Sequence, residues 1–340
     1  CVPSGWWWLA VPDTEWPTVS VVMPVLDEEA QLADAVRSIL GQEYPGRLDV
    51  CLALGPSRDS TDAVARRLVE EDARVKIVAN PTGGRSSGLN AAIGATTGAV
   101  VVRVDAHSVL PSGYIRRAVE TLKRTGAANV GGVQRAVGHT PFQRAVASAL
   151  TSPFGMGGAR YHIGGNEGPT DTVFLGVFDR ASIEQVGLFD ETVVGNEDYE
   201  LNIRLRADGR VVWFDPMLEV EYTPRSSLRA LARQFFNYGA WKREVVRRHP
   251  TSVQPRQVAP PIVLASLLAS IVIAWWMPIA WAVPLAYVVG VVLASITSGR
   301  TIVERSWLVA VFPTMHMAWA SGFVVGERRR SRSSAPTRSR

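Results

Sequence analysis

The chain has 340 residues, 47% of them hydrophobic, with two cysteines and a formal net charge of +5. That length allows one large or two ordinary domains with a sizeable core, and two cysteines, Cys1 and Cys51, exclude a disulfide framework. The charge is unevenly spread, since Val258 to Val325 carries almost none and an arginine-rich stretch closes the chain.

The opening, Cys1 to Val11, is apolar and contains Trp6, Trp7 and Trp8, but it lacks a basic flank and is too short for a signal peptide. Its tryptophans either rest at a membrane interface or pack on the domain that follows. From Val19 the pattern alternates. Strands are predicted at Val19–Val25, Leu48–Leu54, Val75–Ala79 and Ala99–Val104, with helices at Asp27–Leu40, Thr61–Glu70 and Ser86–Thr96 between them. Cys51 falls inside an apolar strand, as a small core residue. A helix at Ser112–Thr125 and a strand at Asn129–Gln134 continue the series. Strands alternating with helices of this length imply βαβ units and a mostly parallel sheet.

The glycine-rich stretch from Gly155 to Pro169 reads as a mobile loop, and loops of that length are usually functional or disordered. Beyond it the pattern predicts a strand at Thr172–Phe178, a helix at Glu197–Ala207 and a hairpin-like pair at Val211–Phe214 and Leu218–Tyr222. A long amphipathic helix, Ser227–Arg248, mixes aromatic and basic residues. Three apolar segments follow, Val258–Trp276, Ile279–Ser298 and Trp307–Val325, each close to the roughly 20 residues that span a bilayer. Tryptophans near their ends suit an aromatic belt. Pro313 and His316 mark the third segment as the candidate for a re-entrant or interfacial helix. The tail from Arg328 carries six arginines among Ser, Pro and Thr. It reads as disordered and cationic, suited to anionic lipid, and no base-reading motif accompanies it to suggest nucleic acid.

The chemistry concentrates at predicted strand ends, where open α/β sheets hold their ligands. Asp105 follows the fourth strand, with His107 two residues on. It has two readings, as the cap of a following turn or as a ligand for a divalent cation. Asp27 and Glu28 follow the first strand, and Asp59 follows the second, where helix capping is the plain alternative. Gly83-Gly84-Arg85 opens a helix whose free N–H groups suit a phosphate, and Arg85 adds positive charge. Glu197 and Asp198 start a later helix, where acidic residues are favourable in any case.

In this order and spacing the segments resemble family 2 inverting glycosyltransferases of the GT-A fold, and among them the membrane-attached bacterial enzymes of exopolysaccharide assembly, the succinoglycan-type glucosyltransferases. The likeness covers roughly Pro17 to Arg256 and extends into the apolar tail. Pro24-Val25-Leu26-Asp27-Glu28 matches the family's P-x-x-N-E segment, with Asp27 in place of Asn. Gly55-Pro56-Ser57-Arg58-Asp59 matches the later part of D-D-G-S-x-D, with Leu54 and Gly55 replacing the acidic pair. Arg85 to Asn90 resembles K-x-x-A-L-N, and Asp105-Ala106-His107 stands where the family has D-x-D. Glu197-Asp198 matches the E-D pair. Gln234 retains the first position of Q-x-x-R-W, whereas Asn237 and Tyr238 replace Arg and Trp.

The resemblance implies an α/β GT-A domain over residues 17–256, an N-terminal segment 1–16, membrane helices over 257–326 and a disordered tail 327–340. It implies that Asp198 is the catalytic base and that Pro24, Asp27, Glu28, Asp59, Arg85, Asn90 and Asp105 hold the nucleotide sugar. Glu197, Gln234, Trp241 and Lys242 fall on the acceptor or diphosphate side. Asp105 and His107 are the implied ligands of Mn²⁺ or Mg²⁺, imidazole suiting Mn²⁺ better. The implied donor is a nucleoside-diphosphate sugar, a UDP-sugar in the first instance, and the acceptor a lipid-linked or membrane-proximal glycan. The implied setting is the inner or plasma membrane, multi-pass, with the catalytic domain cytoplasmic and membrane lipids as partners. Two further readings stand beside transfer: a processive polysaccharide synthase, and a catalytically silent nucleotide-sugar sensor or scaffold.

Overall fold

The computed structural model describes residues 16–326. The expectations for the tryptophan-rich opening and for the arginine-rich tail lie outside these residues. In chain order the first elements are β1 Val19–Val25, α1 Leu32–Leu40, β2 Leu48–Leu54, α2 Thr61–Glu71, β3 Val75–Ala79, α3 Arg85–Gly94 and β4 Val100–Arg103. There follow α4 Tyr114–Thr125, β5 Asn129–Ala136, α5 Pro141–Leu150, α6 Pro153–Met156, α7 Arg160–Ile163, β6 Gly168–Pro169 and β7 Phe174–Asp179. The last are α8 Arg180–Gln185, α9 Glu197–Ala207, β8 Val212–Tyr222, α10 Leu228–Arg248, α11 Pro255–Ile273, α12 Ala282–Ser298 and α13 Ile302–Val325.

One eight-stranded sheet, in the order β3-β2-β1-β4-β7-β5-β8-β6, forms the centre. Neighbours pair in parallel except at β7, which runs against β4 and β5, and at β6, which runs against β8. β1 and β4 are buried almost throughout, because apolar side chains of both faces are covered by helices. On one face Leu32, Ile39, Leu68 and Ile115 of α1, α2 and α4 pack on Val21, Met23 and Val102. On the other, Leu89 and Ile93 of α3 and Leu201 and Leu205 of α9 pack on Val22, Val101 and Cys51. A third cluster joins Phe142 of α5 and Leu231 and Phe235 of α10 to Leu308 and Phe312 of α13.

Three features differ from the sequence pattern. The predicted helix from Asp27 begins only at Leu32. The amides that would have opened it bond instead to the loop after β2: Asp27 N–H to Ser57 Oγ at 3.1 Å, Glu28 N–H to Thr61 Oγ1 at 2.8 Å and Glu29 N–H to Asp59 Oδ2 at 3.1 Å. Asp27 itself takes φ 54°, a left-handed conformation outside the helix.

The predicted hairpin at Val211–Tyr222 is one strand, β8, both halves of which pair in parallel with β5. Asp215, Pro216 and Met217 bulge between the halves. Asp215 is fully buried and accepts hydrogen bonds from Arg117 Nε (2.8 Å), Thr121 Oγ1 (3.0 Å) and Met217 N–H (3.0 Å). Opposite the bulge, a Cβ on Gly132 would lie 1.8 Å from the Leu218 carbonyl oxygen, so only glycine fits.

The glycine-rich stretch predicted as a loop takes in the end of α6 and carries α7 and β6. Left-handed glycines at Gly157, Gly158, Gly164 and Gly168 punctuate these short pieces.

The three C-terminal helices are long and apolar enough to cross a membrane by length and composition. The third is a single helix running through Pro313, not an interrupted one. It docks on the α/β domain. A Cβ on Gly239 would lie 2.0 Å from the Trp319 carbonyl oxygen, and one on Gly322 would lie 1.9 Å from that of Phe236. Backbone therefore meets backbone where α10 crosses α13, as small residues allow between helices. At the other end of α13 the buried Glu304 accepts from Arg144 Nε of α5 at 3.1 Å.

Candidate active site

The carboxyl ends of β1 and β4, the start of α3 and the start of α9 converge on one cavity of about 1320 Å³. Arg103, the last residue of β4, organises its wall. Its side chain is buried at 5% exposure, and its guanidinium lies 3.0 Å from Asp105 Oδ1 and 3.2 Å from Glu197 Oε1 and also contacts Asp198 Oδ1. Arg85, the first residue of α3, reaches the same Glu197 oxygen at 3.1 Å. Two cations thus gather three acids contributed by β4 and α9. A buried arginine needs such partners, because its desolvation is otherwise uncompensated. Burial pushes the Asp105 carboxyl up, but Arg103, Arg85 and His107 outweigh it and hold the carboxyl below its ordinary range.

Glu28 and His107 lie on the same cavity wall, joined by a 2.9 Å bond between Nδ1 and the carboxylate. That bond, before any other influence, raises the imidazole above its ordinary pKa. Asp105 and His107 both line this cavity. Among the described residues no cluster of three or more His, Cys, Asp and Glu side chains could hold a metal ion. The pair fits a divalent cation as a half-site, one carboxylate and one imidazole. The remaining positions suit diphosphate oxygens and water.

Other predicted residues fall elsewhere. Asp27 and Asp59 lie at the sheet edge beside Glu28 but do not line the cavity. Their carboxylates bind the amides that zip the two loops together: Asp27 Oδ1 accepts from Arg58 N–H at 2.7 Å, and Asp59 takes those of Glu29 and Thr61. The Thr61 hydroxyl, foremost, lowers the Asp59 carboxyl. Pro24 packs against α3, where a Cβ on Gly88 would lie 3.0 Å from it. Asn90 also lies off the cavity. It pairs with the Phe189 backbone through both amide atoms (2.9 and 3.1 Å) and donates to Glu191 at 3.0 Å, fastening the Gly187–Glu191 turn.

The far wall of the cavity comes from α10. Gln234 donates to the hydroxyls of Tyr222 and Tyr238, each at 2.8 Å, and the neutral Asn237, which also lines the cavity, takes the place of the family's arginine. Trp241 lies against Gly195, where a Cβ would come within 2.2 Å of the indole. Lys242 is buried beside Tyr199. From there the cavity extends to Tyr287 of α12 and His316 and Trp319 of α13. The sequence reading passes over Arg103. Its signal is a lone charge inside the run Val100-Val101-Val102-Arg103-Val104.

The mixed sheet with helices on both faces is a GT-A glycosyltransferase frame, and residues 20–187 match the model of glycosyl transferase family 2. The chain belongs to that family. It is 31% identical over 310 residues to the succinoglycan biosynthesis protein ExoA of Rhizobium meliloti, covering 89% of this chain and 93% of that one. A second relative is the dolichyl N-acetyl-α-D-glucosaminyl phosphate 3-β-D-2,3-diacetamido-2,3-dideoxy-β-D-glucuronosyltransferase of Methanococcus voltae. It is 23% identical over 68% of this chain and 74% of its own. The fold is that of the mannosyltransferase PcManGT of Pyrobaculum calidifontis, solved with GDP-mannose and Mn²⁺. That structure aligns with a TM-score of 0.58 at 20% identity, over 92% of this chain and 87% of that one.

Proposed function

We propose that the protein transfers a hexose, with inversion, from a nucleoside-diphosphate sugar to a hydroxyl of a lipid-linked or membrane-proximal acceptor in cell-envelope or exopolysaccharide assembly. The observation that carries this reading is the meeting of Asp105, Glu197 and Asp198 on Arg103, in the wall of a cavity that continues to the apolar helices. Sheet edge and apolar helices thus open into one space, as a soluble donor and a lipid-borne acceptor require. Two relatives, one in succinoglycan synthesis and one named for a dolichyl-linked sugar phosphate, support the same reading.

In this reading Arg85 and the amides at the start of α3 bind the diphosphate, as helix N-termini bind anions. A divalent cation, Mn²⁺ or Mg²⁺, bound with the donor at Asp105 and His107 supplies Lewis-acid neutralisation of charge on the departing diphosphate. Asp198 stands at the first turn of α9, its side chain 30% exposed and fixed by Arg103. It receives the proton of the acceptor hydroxyl as that oxygen bonds the anomeric carbon and the bond to the diphosphate breaks, the electron pair leaving with the diphosphate. Glu197 is already engaged by Arg85 and Arg103 and holds both in place. The α/β domain faces the cytoplasm, where nucleotide sugars are made, and α11 to α13 attach it to the inner or plasma membrane.

The test uses the full chain in nanodiscs with a panel of UDP-, GDP- and other nucleotide sugars, Mn²⁺ or Mg²⁺, and lipid-linked acceptors. Donor binding raises the unfolding temperature by mass action, and the product carries one added sugar of inverted anomeric configuration. The panel also decides the expected UDP preference, on which the GDP-mannose of the fold relative is silent. Retention of configuration overturns the mechanism, and a ladder of products replaces it with a processive synthase.

A further inference from the structure

Lys242 plays no part in donor binding or proton transfer as described, yet its placement is costly. The residue is 4% exposed, lines the cavity, and its Nζ has no hydrogen-bond partner among the described residues. It sits 3.5 Å from the centroid of the Tyr199 ring. The charged groups around it are Asp171, Arg256 and Arg206. The Asp171 carboxylate is engaged by Arg256 of α11, so the lysine stands without an acid of its own. Burial, foremost, pushes its ammonium down to about 7. A buried amine with neither acceptor nor counter-ion is unfavourable, and a cation–π contact offsets only part of that cost. An anion entering the cavity would supply both.

The order of contacts says which anion. Asp105 touches Arg103, Arg103 touches Asp198, the next residue Tyr199 touches Lys242, and beside Lys242 lies Arg256 in the first turn of α11. Lys242 is therefore beyond Asp198 from the donor edge, on the way to the first apolar helix. We infer that Lys242, with Arg256 beside it, binds the phosphate that joins the acceptor sugar to its lipid. The assignment rests on the transferase reading and names its acceptor as a lipid phosphate or diphosphate, not a neutral glycolipid. Asp198 then meets the sugar hydroxyl while Lys242 holds the anionic end.

Lys242→Met tests it in the full chain, because methionine keeps the volume and removes the charge. The variant folds: it unfolds at a higher temperature than wild type, with the largest gain at and below pH 7. The gain shrinks as pH rises toward 10.5, where the unfolded lysine also loses its proton. Against a polyprenyl-diphosphate-linked sugar its acceptor KM rises by at least about tenfold, the range expected for a lost charge-assisted hydrogen bond. The donor KM does not rise with it. Discrimination against a neutral glycosyl diacylglycerol falls, and Lys242→Arg recovers part of it. Inorganic pyrophosphate, titrated calorimetrically without donor or acceptor, fills one site fewer on Lys242→Met than on wild type, the donor diphosphate site at Arg85 being common to both. A rise in donor KM instead assigns the lysine to the donor diphosphate and overturns the proposal. So does an unchanged acceptor KM, or pyrophosphate binding unaffected by the substitution. Absence of transfer by wild type counts against the proposed function, while the pyrophosphate titration still decides for or against an anion site at Lys242.

Discussion

At the sheet edge Arg103 and Arg85 gather Asp105, Glu197 and Asp198 so closely that each charge has a partner before substrate arrives. At the membrane end of the same cavity, Gln234, Tyr222 and Tyr238 satisfy one another as neutral groups, and Lys242 lacks an anion. The first arrangement is preorganised: side chains stand ready at fixed positions, and little reorganisation remains for the reaction. The second leaves a charge for the ligand to complete. On the proposed reading, the contrast separates the group that acts on every turnover from the group that selects what is acted upon.

The sharpest way to break this contrast is at Asp198. Asp198→Asn is isosteric and keeps a contact with Arg103, so folding and donor-induced thermal shift persist while transfer falls by about 10²- to 10⁴-fold. Nucleoside diphosphate release with saturating acceptor measures it, and turnover within tenfold of wild type would remove Asp198 from its role. Next comes Arg103→Met, which takes a shared guanidinium from three acids, one of them, Glu197, only 3% exposed. Removing one partner from a buried ion pair costs about 3–5 kcal/mol, and denaturant unfolding of the α/β domain reads it. A loss below about 1 kcal/mol, the range of exposed pairs, would mean that the edge is not held by this residue.

Gly239→Val probes the other end. Its side chain meets the Trp319 carbonyl oxygen, where even a Cβ would come within 2.0 Å. Overpacking of this kind costs about 1–3 kcal/mol. The loss appears as a lower unfolding temperature in nanodiscs and a raised acceptor KM, with donor binding retained. The smallest effect belongs to Asn90→Ala, which leaves the Phe189 amide and carbonyl unpaired and loses about 1–2 kcal/mol of stability. Since Asn90 lies outside the cavity, the donor KM stays within a factor of two. A larger rise would restore the donor-binding role that the family pattern implies.

Much of the fold was readable from the chain. β1 and β2 occupy the residues that their apolar runs predict, since strands covered on both faces carry little else, and the largely exposed edge strand β3 also falls where predicted. Asp105, His107, Glu197 and Asp198 share one cavity for the same reason, being fixed to the ends of readable strands and helices. The misread parts depend on contacts between distant segments. Asp215 and Pro216 look like a turn until Arg117 and Thr121, on a separate helix, are known to bury the carboxylate. The start of α1 is displaced because residues of a different loop take its first amides. By contrast α5 was within reach. Thr140, Pro141 and Gln143 form a capping box with proline in the first turn, a local signal that needs no tertiary knowledge.

The backbone contacts of Gly239 with Trp319 and of Gly322 with Phe236 have a consequence for product size. With no side chain between them, α10 and α13 cannot slide or separate by a methyl group's thickness without losing their packing. Because α10 also carries Lys242, the span from the membrane helix to the reacting hydroxyl becomes a fixed length. On the reading proposed above, a lipid-linked sugar chain is then measured rather than merely bound: a terminal hydroxyl one sugar farther from the phosphate overshoots Asp198, and addition stops after one.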